Sequence, residues 1–375
     1  METRDLYYVT NRRHRGGNRF RPTGYGKQPS SDGFENLRFG KLRTRVDRAR
    51  IRKCLTMETD SGIGDGNALS KYFGTRVSSA KITAYKESIE AEDQPDRIQA
   101  KTRLGSTEMF GELRQTMMAK RDLLIFIHGY SVSWKDAVAS ALALQEMVNR
   151  PSVRQSSRGE VMVVLFTWPS DGSKLPFTAY KSDRTDAAAS GYAFGRGLLK
   201  LRDYLASLSR DEFCWSNVNV LCHSMGNFVL QNALRRIEDH AEGGQLPRVF
   251  DQTFLCAADV DENVLEMGQP MTKLAQLSRS TSIYHNRGDM ALTISDYTKG
   301  HRDRLGANGV PNPTMLHRSV NQIDCSKIVS GLVEHSYYLD GRINHDIRMS
   351  LDGVNPDDRR RPRGADSARN CWVAL

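Results

Sequence analysis

The sequence predicts an α/β fold: a mostly parallel, doubly wound sheet flanked by helices, with antiparallel strands supplied by the N-terminal part. Three observations predict it. From about residue 121 onward, short apolar runs alternate with segments of helical period, the pattern of parallel strands joined by crossover helices. Five of those runs stop at a polar motif, and the outer carboxyl ends of the strands are where open parallel sheets carry their sites. With 375 residues, 39% hydrophobic and 26% charged, the chain can bury one large core and keep a polar surface.

In chain order, Leu6 to Val9 is a short apolar run, and the Gly/Arg/Pro-rich stretch from Asn11 to Gly33 lacks periodicity and reads as a loop. Asn36 to Arg45 alternates weakly and Ala80 to Tyr85 is apolar, so both are expected strands; Thr56 to Gly66, rich in Gly and Asp, reads as a flexible connection. The five strong runs are Leu123 to Ile127, Val161 to Thr167, Val218 to Cys222, Thr253 to Ala257 and Thr281 to Tyr284. Helices are expected between them at Trp134 to Asn149, Ala187 to Leu208, Asn227 to His240 and Glu262 to Leu277. Gln322 to Val329 is a weaker final strand followed by a last helix. The expected organisation is a basic N-terminal extension with the first strands over 1–120, a catalytic core over 121–350, and a polar, flexible tail over 351–375.

The formal charge of +10 is concentrated at one end, since residues 1–53 hold 15 Lys/Arg against 5 Asp/Glu. Such a segment suits an anionic partner, either nucleic acid or anionic lipid, or else is a solvated, partly disordered extension. Cytoplasmic residence is expected: no window approaches the ~20 consecutive apolar residues of a spanning helix. Met1 to Thr10 also carries Glu2, Arg4 and Asp5 where a secretory leader would be apolar. The cysteines are scattered with no C-x-x-C pair, so neither a zinc site nor a disulfide framework is expected, and no cofactor signature appears. Cys371 stands one place too early for a prenylation box.

Leu221-Cys222-His223-Ser224-Met225-Gly226 closes a strand signal and opens a helix signal. A serine on such a tight strand-to-helix turn is thrust out of the sheet with its Oγ exposed, provided small neighbours let strand and helix approach. Gly226 meets that need; Cys222 stands where the first glycine of G-x-S-x-G would be, and is small. The helix start also aims unpaired N–H groups at the reacting centre, so the Met225 N–H is an expected oxyanion donor. The bland alternative is that Ser224 is an ordinary N-cap.

Ile125-Phe-Ile-His128-Gly129-Tyr130-Ser131 supplies a second candidate donor, the Tyr130 N–H, with Gly129 permitting the backbone geometry and His128 orienting the loop. On a strand–turn–helix elbow the acid and base follow the serine, acid first. Asp289, a short turn past the Thr281 to Tyr284 run, is the expected acid, which would accept the imidazole Nδ1–H and fix its tautomer. Asp259 and Asp261 compete from the preceding strand. His335 is the expected base, ahead of His301, His317 and His345.

These segments, with Trp168-Pro169-Ser170, Asp289-Met-Ala-Leu292, His335-Ser-Tyr-Tyr338 and the early Tyr7-Tyr8-Val9-Thr10-Asn11-Arg12, resemble an uncharacterised bacterial branch of the α/β-hydrolases over about Leu123 to Asp340. The resemblance implies a Ser-Asp-His triad on an eight-stranded type of sheet and, by analogy, hydrolysis of a carboxylic ester through an acyl-enzyme; it supplies no known substrate. Trp168 to Gly172 and Lys174 to Tyr180 are expected either to border the pocket as an aromatic rim or to pack as a loop beside the sheet. Other readings keep the fold and change the function: a catalytically silent scaffold, or a lipid, thioester or amide hydrolase recruited by its basic segment. The partner implied is a small-molecule or lipid ester; oligomeric state is not legible.

Overall fold

The computed structural model describes every residue except 87–103, 120–121, 154–158, 171–175, 209–215, 240–245, 293–302, 330–334 and 367. The N-terminal part contributes β1 (Glu2–Thr10), β2 (Arg12–Arg15), β3 (Gly24–Pro29), β4 (Arg38–Val46), α1 (Arg48–Thr56), β5 (Glu58–Thr59), β6 (Gly62–Ile63), α2 (Gly66–Val77), β7 (Lys81–Ala84) and α3 (Gly105–Met118). The alternating core follows as β8 (Asp122–Ile127), α4 (Trp134–Val148), β9 (Val161–Thr167), α5 (Pro176–Ala206), β10 (Val218–His223), α6 (Gly226–Glu238), β11 (Phe250–Cys256), β12 (Ser278–His285) and β13 (Val320–Asp324). The chain closes with the helix Gly341–Leu351, β14 (Arg363–Ala365) and β15 (Cys371–Ala374).

Among the described residues one eleven-stranded sheet runs in the order β14-β15-β13-β12-β11-β10-β8-β9-β1-β4-β7. From β15 to β1 every neighbouring pair is parallel; β14, β4 and β7 join antiparallel to their neighbours. Strands buried on both faces need apolar side chains at successive positions, which is why β8 reads Leu-Leu-Ile-Phe-Ile. Leu123, Ile125 and Ile127 pack into the core beneath α3, α5 and α6, whereas Leu124 and Phe126 join the core beneath α1, α2, α4 and the helix Gly341–Leu351. Each such buried side chain stabilises by ~1.5–3 kcal/mol. Helix starts are set locally: the Ser133 side chain accepts the Asp136 N–H at the head of α4, and Asp136 lies in its first turn against the positive end of the dipole.

The structure departs from expectation in four places. The stretch 11–33 is not a bare loop, because β2 and β3 pair as a hairpin whose bulge and glycines hide any period. The N-terminal part supplies strands of the sheet as expected, but β1, antiparallel to β4, also runs parallel to β9, and the basic residues Arg12 and Arg38 are buried. Residues 262–277 form turns, with only Leu274–Leu277 helical, since Gly268 sits at φ +77° and Pro270 follows it. The tail is not flexible throughout: β15 extends the sheet beside β13, with Cys371 and Ala374 buried. β13 itself stops at Asp324, whose carboxylate captures the Ser326 N–H at 2.8 Å and turns the chain. No helix among the described residues is long and apolar enough to cross a membrane.

Candidate active site

β10 ends at His223 and α6 begins at Gly226, so Ser224 and Met225 make the turn between them. Ser224 is held at φ +53°, a left-handed conformation that costs a non-glycine residue ~1–2 kcal/mol. Hydrogen bonds hold it there. The Ser224 N–H donates to the Cys256 carbonyl at 3.0 Å, and the Ser224 carbonyl accepts the N–H groups of Asn227 at 3.0 Å and Asp259 at 3.2 Å. The buried Asn227 carboxamide donates to the carbonyls of Ser224 at 2.9 Å and Cys222 at 3.2 Å. Gly226 is required by contact, because a Cβ there would lie 2.6 Å from the Ile127 carbonyl oxygen and 2.7 Å from that of His128. Cys222 fits the remaining position as a core residue; burial pushes its thiol far up, so it offers no thiolate to compete with the serine.

The expected oxyanion loop rests directly on the elbow. A Cβ on Gly129 would stand 2.7 Å from the Ser224 Cβ, which puts the following peptide, with the Tyr130 N–H, beside the serine. The Met225 N–H finds no acceptor among the described residues. Ser131, at φ +57°, donates its N–H to Asp183 Oδ2 at 3.1 Å. The same oxygen accepts the Ser170 hydroxyl at 2.5 Å, and Ser170 Oγ in turn accepts the Val132 N–H at 3.1 Å. Asp183 thus reaches from α5 to fix the loop after β8.

Behind the loop lies Arg12, 1% exposed. Its Nε donates to Thr167 Oγ1 at 2.8 Å and its Nη2 to the Val132 carbonyl at 2.7 Å, with longer bonds to the carbonyls of Gly26 and Ser170. Burial pulls its pKa down to about 9, against the pull of Asp183, Asp186 and Asp136. The guanidinium still carries its charge at neutral pH. His128 sits against it. The His128 Nδ1 faces the Gly129 carbonyl at 2.9 Å and so carries the proton, while Nε2 accepts from the Trp168 N–H and Arg12 Nη2, each at 3.3 Å. Burial, then Arg12, holds this imidazole neutral. Trp168 stacks on His128 with ring planes 9° apart and is fully buried, so it is a packed support and not a pocket rim. Residues 171–175, and the side chains of 176–179, lie outside the described residues.

Asp289 and His335 come together: His335 Nδ1 stands 2.7 Å from Asp289 Oδ2, and Asp289 is 5% exposed. A carboxylate only accepts, so Nδ1 carries the proton and Nε2 is left basic. The other Asp289 oxygen accepts the Ala291 N–H at 3.1 Å. The competing acids are engaged elsewhere. Asp259 accepts the Tyr180 hydroxyl at 2.7 Å and lies 3.6 Å from Arg304, and Asp261 pairs with Arg304 at 2.5 Å. Among the other histidines, His317 is exposed and bonded to Ser319, His345 lies on the helix Gly341–Leu351, and His301 falls outside the described residues.

Two groups without an assigned role in the sequence reading position the His335 segment. His223 Nε2–H donates to the His335 carbonyl at 2.9 Å, and its ring lies 4.7 Å, centroid to centroid, from that of His335. Burial, then His335, lowers its pKa to about 3, so it donates without carrying charge. The Tyr337 hydroxyl accepts the Ala257 N–H at 2.9 Å and donates to the Tyr284 carbonyl at 2.8 Å, tying the segment to the ends of β11 and β12. His223 immediately precedes Ser224, so these ties hold the His335 segment against the residue before the serine. Among the described residues Ser224 Oγ forms no hydrogen bond; such bonds are often long before substrate arrives.

A sheet with parallel strands at its centre, helices on both faces and a strand–serine–helix elbow defines an α/β-hydrolase fold. Residues 106–345 match the family model described as "Alpha/beta hydrolase of unknown function (DUF900)", and the chain belongs to that family. A solved structure titled as the "putative cell surface hydrolase" from Lactobacillus plantarum WCFS1 is similar at 14% identity, over 64% of this chain and 95% of that one, with a TM-score of 0.32. No curated protein matches the chain.

Proposed function

We propose that the protein is a serine hydrolase that cleaves a carboxylic ester or related acyl bond, with Ser224 as nucleophile, His335 as base and Asp289 as the orienting acid. The observation that supports the reading is the 2.7 Å Asp289–His335 pair, whose His335 carbonyl is bonded to His223, the residue before a serine on a left-handed turn. His335 Nε2 takes the Ser224 proton as Oγ attacks the acyl carbonyl; the Met225 and Tyr130 N–H groups stabilise the oxyanion. The imidazolium then protonates the leaving alkoxide. Water, activated by the same nitrogen, hydrolyses the acyl-enzyme and restores Ser224. The backbone donors act where charge develops, and removing one such donor costs ~2.7–4 kcal/mol in comparable enzymes.

The experiment is labelling of the full chain with a fluorophosphonate probe, together with a panel of short and medium acyl esters. Wild type should label and release acid, and Ser224→Ala should do neither. Because triad members act as one unit, adding Asp289→Asn to Ser224→Ala should lower the residual rate little further. A wild-type protein that neither labels nor turns over any ester of the panel would favour a silent scaffold and end this reading.

A further inference from the structure

The face of the sheet under the helix Gly341–Leu351 changes character along its strands. At the carboxyl ends of β11, β12 and β13 it presents Cys256, Tyr284 and Ile323, all fully buried. Toward the amino ends the register pairs Gln252 with Ser280, and Ser282 with Asn321, so the same face becomes polar. Ser282 and Asn321 are each 4% exposed. The Ser282 hydroxyl has no hydrogen-bond partner among the described residues, and the Asn321 carboxamide uses its oxygen, which accepts the Trp372 indole N–H at 3.4 Å. Buried polar groups are ordinarily satisfied. Both side chains line a pocket of about 190 Å³ between these strands and the chain that follows the helix.

The wall of that pocket is cationic. Arg279, Arg318 and Arg361 line it, and no carboxylate does. Arg279 is paired with Asp251 at 2.8 Å. Arg361 is paired with Asp346 at 2.7 Å and bonds Ser350 Oγ and the carbonyls of Asp346 and Val354, so it is a fixed part of the wall. Arg318 is exposed at the rim and makes no ion pair among the described residues. Donors on a neutral floor, one exposed arginine without an ion pair at the rim and no lining acid suit an oxyanion with several acceptor oxygens.

We propose that this pocket binds the phosphate group of a small phosphorylated ligand, with Arg318 supplying charge and Ser282 and Asn321 supplying hydrogen bonds. The volume suits inorganic phosphate or a short phosphomonoester. The site lies at the amino ends of the strands, at the opposite end of the sheet from Ser224, and stands independently of the hydrolytic reading. β12 links the two ends, since Ser282 lines the pocket and Asp289 follows the strand's carboxyl end.

The test is calorimetric titration of the full chain with inorganic phosphate and with glycerol 3-phosphate, at ionic strength held constant with chloride, and sedimentation with phosphatidic acid vesicles. Saturable binding of either soluble probe, weakened at least tenfold in Arg318→Gln and in Asn321→Asp, supports the site and assigns it to a free phosphorylated molecule. Vesicle binding with the same variant dependence supports it and assigns a lipid headgroup. Absence of saturable binding to all three probes, or affinity unchanged in Arg318→Gln, overturns it; that side chain is exposed, so the variant folds whether or not Asn321→Asp does.

Discussion

Asp289→Asn replaces one oxygen by an amide nitrogen and isolates the role assigned to the acid. The carboxylate uses both oxygens as acceptors, one for the Ala291 N–H at 3.1 Å and one for His335 Nδ1–H at 2.7 Å. A carboxamide has a single acceptor oxygen, so one of the two bonds must change. If that oxygen stays on His335, the amide nitrogen confronts the Ala291 N–H, donor against donor, at a residue only 5% exposed. That arrangement costs ~1–3 kcal/mol. If the oxygen turns to Ala291 instead, the amide donates to His335 Nδ1, every bond is kept, and the imidazole proton moves to Nε2. The second arrangement wins, and it leaves His335 unable to take the serine proton. Loss of the tautomer and of the charge that stabilises the imidazolium should lower kcat by ~10⁴, or ~5.5 kcal/mol, as in comparable triads. KM and melting temperature should change little. The assay is steady-state turnover of a short-chain aryl ester with a melting curve on the same samples. A variant that keeps more than a tenth of wild-type kcat refutes the assignment, and a collapse of turnover in Asp259→Asn at unchanged stability would transfer the role to the preceding strand.

Gly129→Ala, whose new Cβ would stand 2.7 Å from the Ser224 Cβ, should displace the Tyr130 N–H and lower kcat ~100-fold; activity within threefold of wild type would show that the loop is not an oxyanion donor. Arg12→Lys should lower the unfolding free energy by ~2–4 kcal/mol, one or two buried acceptors being left without donors at ~1–3 kcal/mol each, as read by denaturant titration. His223 is neutral in the folded state down to about pH 3 and titrates near 6.5 when unfolded. The unfolded chain therefore binds more protons between those values, and stability falls as pH drops below 6.5, by up to ~1.4 kcal/mol per unit from this group. His223→Gln should flatten that slope in unfolding titrations across the acid range.

The central strands were legible because burial on both faces leaves little choice of residue: the runs 123–127 and 161–167 lie within or coincide with β8 and β9. The elbow was legible for a related reason, since a strand that ends on a small-residue turn before a helix leaves few candidates for the exposed position. What the sequence hid were elements whose partners are remote. β2, β3, β14 and β15 are short and gain their order from pairing rather than from a periodic pattern. The apolar spacing across 262–277 mimicked a helix, and Gly268 with Pro270 outweighed it. Arg12 and Asp183 were harder still. A charged residue in a sequence looks like surface, and only the fold sets this arginine against four hydrogen-bonding oxygens and an imidazole.

That buried cation explains how the N-terminal strand is tied to the loops around the elbow. β1 lies beside β9 and ends at Thr10, whose hydroxyl donates to the Thr167 carbonyl at 2.8 Å. Two residues on, Arg12 binds Thr167, Ser170, Val132 and His128, which are the residues that shape the loops after β8 and β9. The loop after β8 is therefore braced from one side by Arg12 and from the other by Asp183, and rests on Ser224 in front. Three of the four non-glycine residues with positive φ among the described ones, Ser131, Ser224 and Ala257, fall at the carboxyl ends of β8, β10 and β11. Backbone strain of that kind persists only where surrounding bonds over-determine it. Here those bonds come from Asp183, Asn227 and Tyr337, so the geometry around Ser224 depends on side chains drawn from α5, α6 and the segment after His335 as much as on the elbow itself.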